Sequence, residues 1–96
     1  MAGFLDQAQA SRMMDQGAWV VDVRTQTECD QGHGPDSILL PLDQLEARLG
    51  ELPRDKPILL CCRSGARSGT AAGWLDQQGF EAYNLGPWQR NPRCPS

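Results

Sequence analysis

The chain has 96 residues, with 12 acidic side chains against 9 basic ones and a formal net charge of −3, a length that allows one small domain around one modest core. An acidic balance without a basic run excludes a surface built to neutralise nucleic-acid phosphates, and the longest apolar run falls far short of the roughly 20 residues that cross a bilayer. Neither a nucleic-acid partner nor a membrane partner is expected.

Residues 6–16 read as a short amphipathic helix, because Ala10, Met13 and Met14 fall at helical spacing and Gly17 stands where a left-handed cap would end it. Residues 18–23 (AWVVDV) form a β-favouring apolar run broken only by Asp22, the pattern of a parallel strand covered on both faces. Thr25 and Glu28 stand in the S/T-x-x-E arrangement that starts a helix, here a short one to about Gln31. Gly32, Gly34 and Pro35 punctuate a loop that holds the only histidine, His33, and residues 37–40 (SILL) read as a brief strand ended by Pro41. Leu42, Leu45, Leu49 and Leu52 repeat at three- and four-residue spacing and predict another helix, stopped by Pro53. After the PRDKP turn, residues 58–61 (ILLC) repeat the buried-strand pattern. Residues 68–78 then read as a helix closed by Gly79, residues 80–85 as a last short strand, and residues 86–96 as an irregular tail. Strands separated by single helices imply an α/β fold, a small and mostly parallel sheet with helices on both faces. Ligands of such sheets gather at the carboxyl ends of the strands, where this chain has Asp22 to Arg24 and Cys62 to Ser68.

Four cysteines (Cys29, Cys61, Cys62 and Cys94) in a short chain also fit a disulfide-stapled secreted domain. MAGFLDQAQA, however, is polar by its sixth residue and does not read as a secretory leader, so a cytoplasmic location is expected. In that reducing compartment the cysteines are expected to be free, catalytic or metal-bound.

Cys62 ends an apolar strand and begins the six-residue loop 62–67, with Gly65 inside it, that feeds a helix. Glycine lets the backbone curl so that successive N–H groups point inward, and the helix N-terminus adds partial positive charge. Arg63 and Arg67 lie in the same stretch. A thiol so placed is deprotonated below its free value, which makes Cys62 a nucleophile that needs no histidine. An isolated cysteine is more often a small core hydrophobe; the coincidence of strand, Cys-x4-Arg loop, inner glycine and helix favours chemistry here.

At these residues the chain resembles the rhodanese family of sulfurtransferase domains. CRSGARS (Cys62 to Ser68) is similar to the family's active-site loop at every position. VVDVRTQTECDQGH (Val20 to His33) resembles its DVR-x-x-x-E-[FY]-x-x-G-H segment, and GWLDQQGFEAYNL (Gly73 to Leu85) its helix and last strand. The resemblance implies a two-step transfer in which Cys62 takes the outer sulfur of a small anionic donor, thiosulfate or a persulfide, and passes it to cyanide, a thiol or a protein acceptor. It further implies that Arg63, Ser64, Gly65, Ala66, Arg67 and Ser68 bind the substrate, through loop amides around the sulfur and arginine side chains on the anion, without a cofactor. Related phosphatases have one more loop residue, a wider cradle for phosphate, whereas Cys-x4-Arg suits a sulfur atom. A sulfur-carrier or regulatory module without turnover of its own, and a Cys-dependent phosphatase or arsenate reductase, stay open as alternatives.

The remaining candidates rank lower. Cys61 is expected to face away from the loop and pack in the core, with a resolving thiol as the alternative. Cys29 replaces the family's usual aromatic and is expected half-buried and structural; Cys94 falls in a mobile tail and could relay sulfur. A zinc site of Cys29, His33 and the Cys61–Cys62 pair lacks the usual ligand spacing, so no metal is expected. Asp22 and Arg24 are expected to bond to backbone and neighbouring charge, with Arg24 a candidate for the pocket rim, and His33 to hold a turn. Two segments depart from the family: GPDSILLPL after His33, and the short NLGPW ending.

Overall fold

Asp6 opens the first helix by accepting the Gln9 amide on its side chain, and the computed structural model, which describes residues 3–94, runs that helix as α1 (Gln7–Asp15). The chain then alternates through β1 (Trp19–Asp22), α2 (Gln26–Asp30), β2 (Ile38–Leu39), β3 (Ile58–Cys62), α3 (Ala66–Gln77) and β4 (Ala82–Pro87). The four strands pair in the order β2-β1-β3-β4, and all three pairings are parallel. Thr25 and Glu28 form the expected reciprocal cap of α2.

The central strands explain the apolar runs. Alternate residues of a strand point to opposite faces. Val21, Ile58, Leu60 and Cys62 therefore meet Ala71, Ala72 and Leu75 of α3 on one face, while Val20, Leu59 and Cys61 meet Ala10 and Met14 of α1 on the other. Helices thus cover both faces, and every residue of β3 is buried.

Three segments differ from the sequence expectation. Residues 42–52 form no continuous helix; 3-10 turns at Leu42–Gln44 and Leu49–Glu51 replace it. The physical reason is that Leu42/Leu45 and Leu49/Leu52 are each three apart, a spacing that a 3-10 turn satisfies as well as an α-helix does, and Gly50 weakens an α-helix at that point. Leu45 and Leu52 still reach the core. The helix after Cys62 begins at Ala66, two residues before the expected start, so Arg67 and Ser68 belong to its first turn. The last strand continues to Pro87, and Trp88–Arg90 makes a 3-10 turn where an irregular tail was expected. That stretch is ordered by Arg90, whose guanidinium donates to the carbonyls of Leu85 at 3.0 Å and Leu5 at 2.9 Å. Among the described residues, no helix is long and apolar enough to cross a membrane.

Candidate active site

β3 delivers Cys62 to the carboxyl end of the sheet, and the backbone turns at once into α3. The turn is made at Gly65, which caps α3 with φ +97°, in the left-handed region that favours glycine. A chain curled this way points amides back at the residue that started the loop. The Gly65 amide donates to Cys62 Sγ at 3.0 Å and the Ser68 amide at 3.5 Å, with the Ser68 hydroxyl 3.4 Å from the same sulfur. Burial pushes the Cys62 thiol up, yet the Ser68 hydroxyl and amide and the amides of Gly65 and Ser64 outweigh it, and the net direction is below the ordinary 9.0. These donors all favour the charged form of the sulfur.

The substrate-loop residues spread over different environments. Arg63, Ser64 and Ala66 are exposed, Gly65 and Ser68 buried, and Arg67 half-buried. The Arg67 side chain is paired with a carboxylate: its Nη1 and Nη2 donate to the two Glu28 carboxylate oxygens at 2.8 Å. The pair holds the Glu28 carboxyl down at about 2, through the Arg67 hydrogen bond first and the Thr25 amide next. It also fastens α2 to the first turn of α3. Among the described residues, the ion pairs are Arg24–Asp22, Arg48–Glu51, Arg67–Glu28 and Arg93–Asp15. Arg63 is in none of them, which leaves it the cationic side chain of the loop available to an anion.

Arg24 is buried with Asp22 in a two-pronged pair, with Nε 2.9 Å from Oδ1 and Nη2 2.7 Å from Oδ2. It also donates to the Gly32 carbonyl at 2.8 Å and lies 5.0 Å from the centre of the Trp88 ring. With Arg63, Glu28, Gly32 and Trp88 it lines a cavity of about 240 Å³. His33 Nδ1 sits 3.0 Å from the Gly34 carbonyl oxygen.

Cys61, one residue from Cys62, packs on the α1 side, where burial drives its thiol far up. Cys29 is more deeply set than the half-buried position expected, at 5% exposure, and burial raises its thiol too. Cys94 is half-buried, its Sγ 3.6 Å from the Trp88 carbonyl oxygen. All four are free thiols. Among the described residues, no group of three His, Cys, Asp or Glu side chains is arranged to hold a metal ion.

Two neighbours of the loop carry no signal in the sequence. Asn84 of β4 donates Nδ2 to the Gly65 carbonyl at 3.0 Å and takes the Ser68 hydroxyl on Oδ1 at 2.7 Å. The Phe4 ring lies against both Gly65 and Gly86, where a side chain on either glycine would meet it, and Arg90 stacks on it at 5.5 Å. Both contacts join positions far apart in the chain, so no local spacing betrays them.

Comparisons with known proteins identify the family and the fold. A family model described as Rhodanese-like domain matches residues 6–86. A sulfurtransferase of Allochromatium vinosum is 44% identical over 61 residues, which are 64% of this chain and 57% of that protein. The thiosulfate sulfurtransferase GlpE of Pseudomonas syringae is 40% identical over 81 residues, 83% of this chain and 74% of that protein. This chain therefore spans little more than half the length of the first of these relatives. The crystal structure of a rhodanese-related protein from Thermoplasma volcanium superimposes with a TM-score of 0.80 at 28% identity, over 92% of this chain and 88% of that one.

Proposed function

The chain belongs to the rhodanese-like domain family, and from that premise we propose that it transfers a sulfane sulfur from thiosulfate or a persulfide donor to cyanide or a thiol, through a persulfide on Cys62. The observation that carries this reading is the Cys62 sulfur at the centre of amides from Ser64, Gly65 and Ser68, held below its ordinary thiol value. In the first step the Cys62 thiolate attacks the outer sulfur of thiosulfate. A Cys62–sulfur bond forms, the bond to the sulfonate sulfur breaks, and sulfite leaves with the electron pair. In the second step cyanide or a thiolate attacks that outer sulfur, and Cys62 leaves as the thiolate it began as. No proton has to be removed from Cys62 during either attack, so no general base is required.

The residues divide the work by what they offer. Amides of Ser64, Gly65 and Ser68 hold negative charge on sulfur where water is excluded, Ala66 contributes its place in the first turn of α3, and Arg63 attracts the anionic donor. Arg67 supports the loop through Glu28 and leaves charge recognition to Arg63. Arg24, buried against Asp22, forms part of the wall beside Arg63. The remaining partner in this reading is the acceptor, a small thiophile or a thiol on another protein, and the reaction belongs to the cytoplasm.

Intact-protein mass spectrometry after incubation with thiosulfate tests the proposal. One added sulfur atom is expected, retained in Cys61→Ser and absent in Cys62→Ser. An adduct that follows Cys61 overturns the assignment. Stable loading without thiocyanate formation when cyanide is added supports a carrier module instead, and hydrolysis of an aryl phosphate supports a phosphatase.

A further inference from the structure

Asn84 stands opposite Leu60 in the β3–β4 register, at the last position before the pairing shifts. Its amide orientation is fixed by its neighbours. Nδ2 donates to the Gly65 carbonyl, so Oδ1 faces the other way, where it accepts the Gly86 amide at 3.0 Å and the Ser68 hydroxyl at 2.7 Å. The same hydroxyl oxygen lies 3.4 Å from Cys62 Sγ. A serine hydroxyl has one proton. It cannot donate to Asn84 and to a Cys62 thiolate at once, so the two acceptors compete for it.

We propose that Asn84 is a positioning residue that holds the Ser68 hydroxyl in reserve, releasing it to Cys62 Sγ when that sulfur carries the negative charge and taking it back when the charge moves elsewhere. With Cys62 as a thiol, the S–H donates to Ser68 Oγ and the Ser68 O–H donates to Asn84 Oδ1. Once Sγ is a thiolate it only accepts, and the Ser68 O–H swings to it, leaving the Gly86 amide on Asn84. When a persulfide forms, Sγ becomes a neutral bridging sulfur, a weak acceptor, and the hydroxyl returns to Asn84 while backbone amides meet the charged outer sulfur. No bond to carbon or sulfur changes in the swing; one O–H exchanges acceptors. The switch rests on Cys62 as the sulfur-carrying nucleophile.

Ser68 is fully buried, which keeps water from replacing either acceptor. The charges around Cys62 come from elsewhere: Arg67 of α3 with its Glu28 partner on α2, and the Asp22–Arg24 pair at the end of β1 beside Cys61, while the Arg63 side chain is exposed. None of these is altered by changing Asn84 or Ser68.

The test is the rate of Cys62 carbamidomethylation by iodoacetamide against pH, read on the Cys62 peptide, in the wild type, Asn84→Ala, Ser68→Ala and the double variant. Asn84→Ala removes the competitor, so it lowers the titration midpoint by about one pH unit more with Ser68 present than in the Ser68→Ala background. An equal change in both backgrounds means that Asn84 acts only through Gly65 and overturns the switch. Asn84→Asp keeps the acceptor and strengthens it, so its cycle has the opposite sign and stays readable if the alanine variant fails to fold. Thiosulfate loading of the wild type separates the two proposals. Coupling without sulfur transfer removes the function and leaves the competition for the hydroxyl; sulfur transfer without coupling removes the switch alone.

Discussion

Gly65 carries two constraints at once. Its φ of +97° lies where an L side chain is strained, and a Cβ built there would stand 2.5 Å from Phe4 Cε1 and 3.3 Å from the Gly86 Cα. Gly65→Ala is expected to cost about 1–2 kcal/mol from the left-handed backbone alone, seen as a lower urea midpoint. It should also slow persulfide formation, because the amide that donates to Cys62 Sγ is that of residue 65 itself. A variant that loses stability but loads sulfur at the native rate would show that this amide is not part of the cradle. The glycine's role was legible in the sequence because it depends on local backbone freedom. Asn84 was not, since an asparagine one residue before a leucine in a strand looks like any edge residue until the fold brings Ser68 and Gly65 to it.

At the scale of elements, the tie between α2 and α3 makes a pH dependence. Arg67 and the Thr25 amide hold the Glu28 carboxyl at about 2 in the folded chain, against an ordinary 4.5. A carboxyl depressed on folding stabilises the native state fully above its unfolded value, and that contribution fades as the pH falls through 4.5 toward 2. Glu28→Gln should therefore flatten the urea midpoint against pH across that window. It should leave the start of α2 intact, because glutamine can also complete a capping box. Half of this arrangement could be read in advance: the cap joins residues three apart, whereas the Arg67 contact spans 39 positions. The same distinction explains residues 42–52, whose leucine spacing reported correctly which side chains turn inward and could not report which kind of turn carries them. The strands were legible for the converse reason. A strand buried on both faces has to be apolar at every step, and few other local structures impose that pattern.

Over the whole molecule, the candidate site draws on the ends of β1, β3 and β4, the start of α3 and a strap from the chain's beginning. The Leu5 amide donates to the Asn84 carbonyl at 2.8 Å, Gln7 Nε2 donates to the Arg90 carbonyl at 2.7 Å, and Arg90 returns a bond to Leu5. Phe4 is thereby laid on Gly65 and Gly86 while remaining 46% exposed, the one large apolar side chain so exposed among the described residues. Arg90→Ala should free this strap. The expected result is a loss of about 1–2 kcal/mol from two hydrogen bonds and a severalfold faster alkylation of Cys62 at constant pH, with its titration midpoint unmoved. An unchanged rate would mean that Phe4 does not limit access to the sulfur. Neither residue could be assigned this part from the sequence, because Arg90 spends its donors on backbone carbonyls, which carry no residue identity.

Cys61 and Cys62 sit side by side in the chain yet back to back across the sheet, one packed toward α1 and the other toward α3. An extended strand cannot fold two such thiols onto each other, so a disulfide between them would require β3 to come apart. Should peroxide convert Cys62 to a sulfenic acid, the adjacent thiol cannot rescue it, and further oxidation proceeds unless a small thiol or a reductase arrives from outside. The sheet therefore acts as an insulator between the two thiols: reducing equivalents for Cys62 have to arrive through the mouth of the loop.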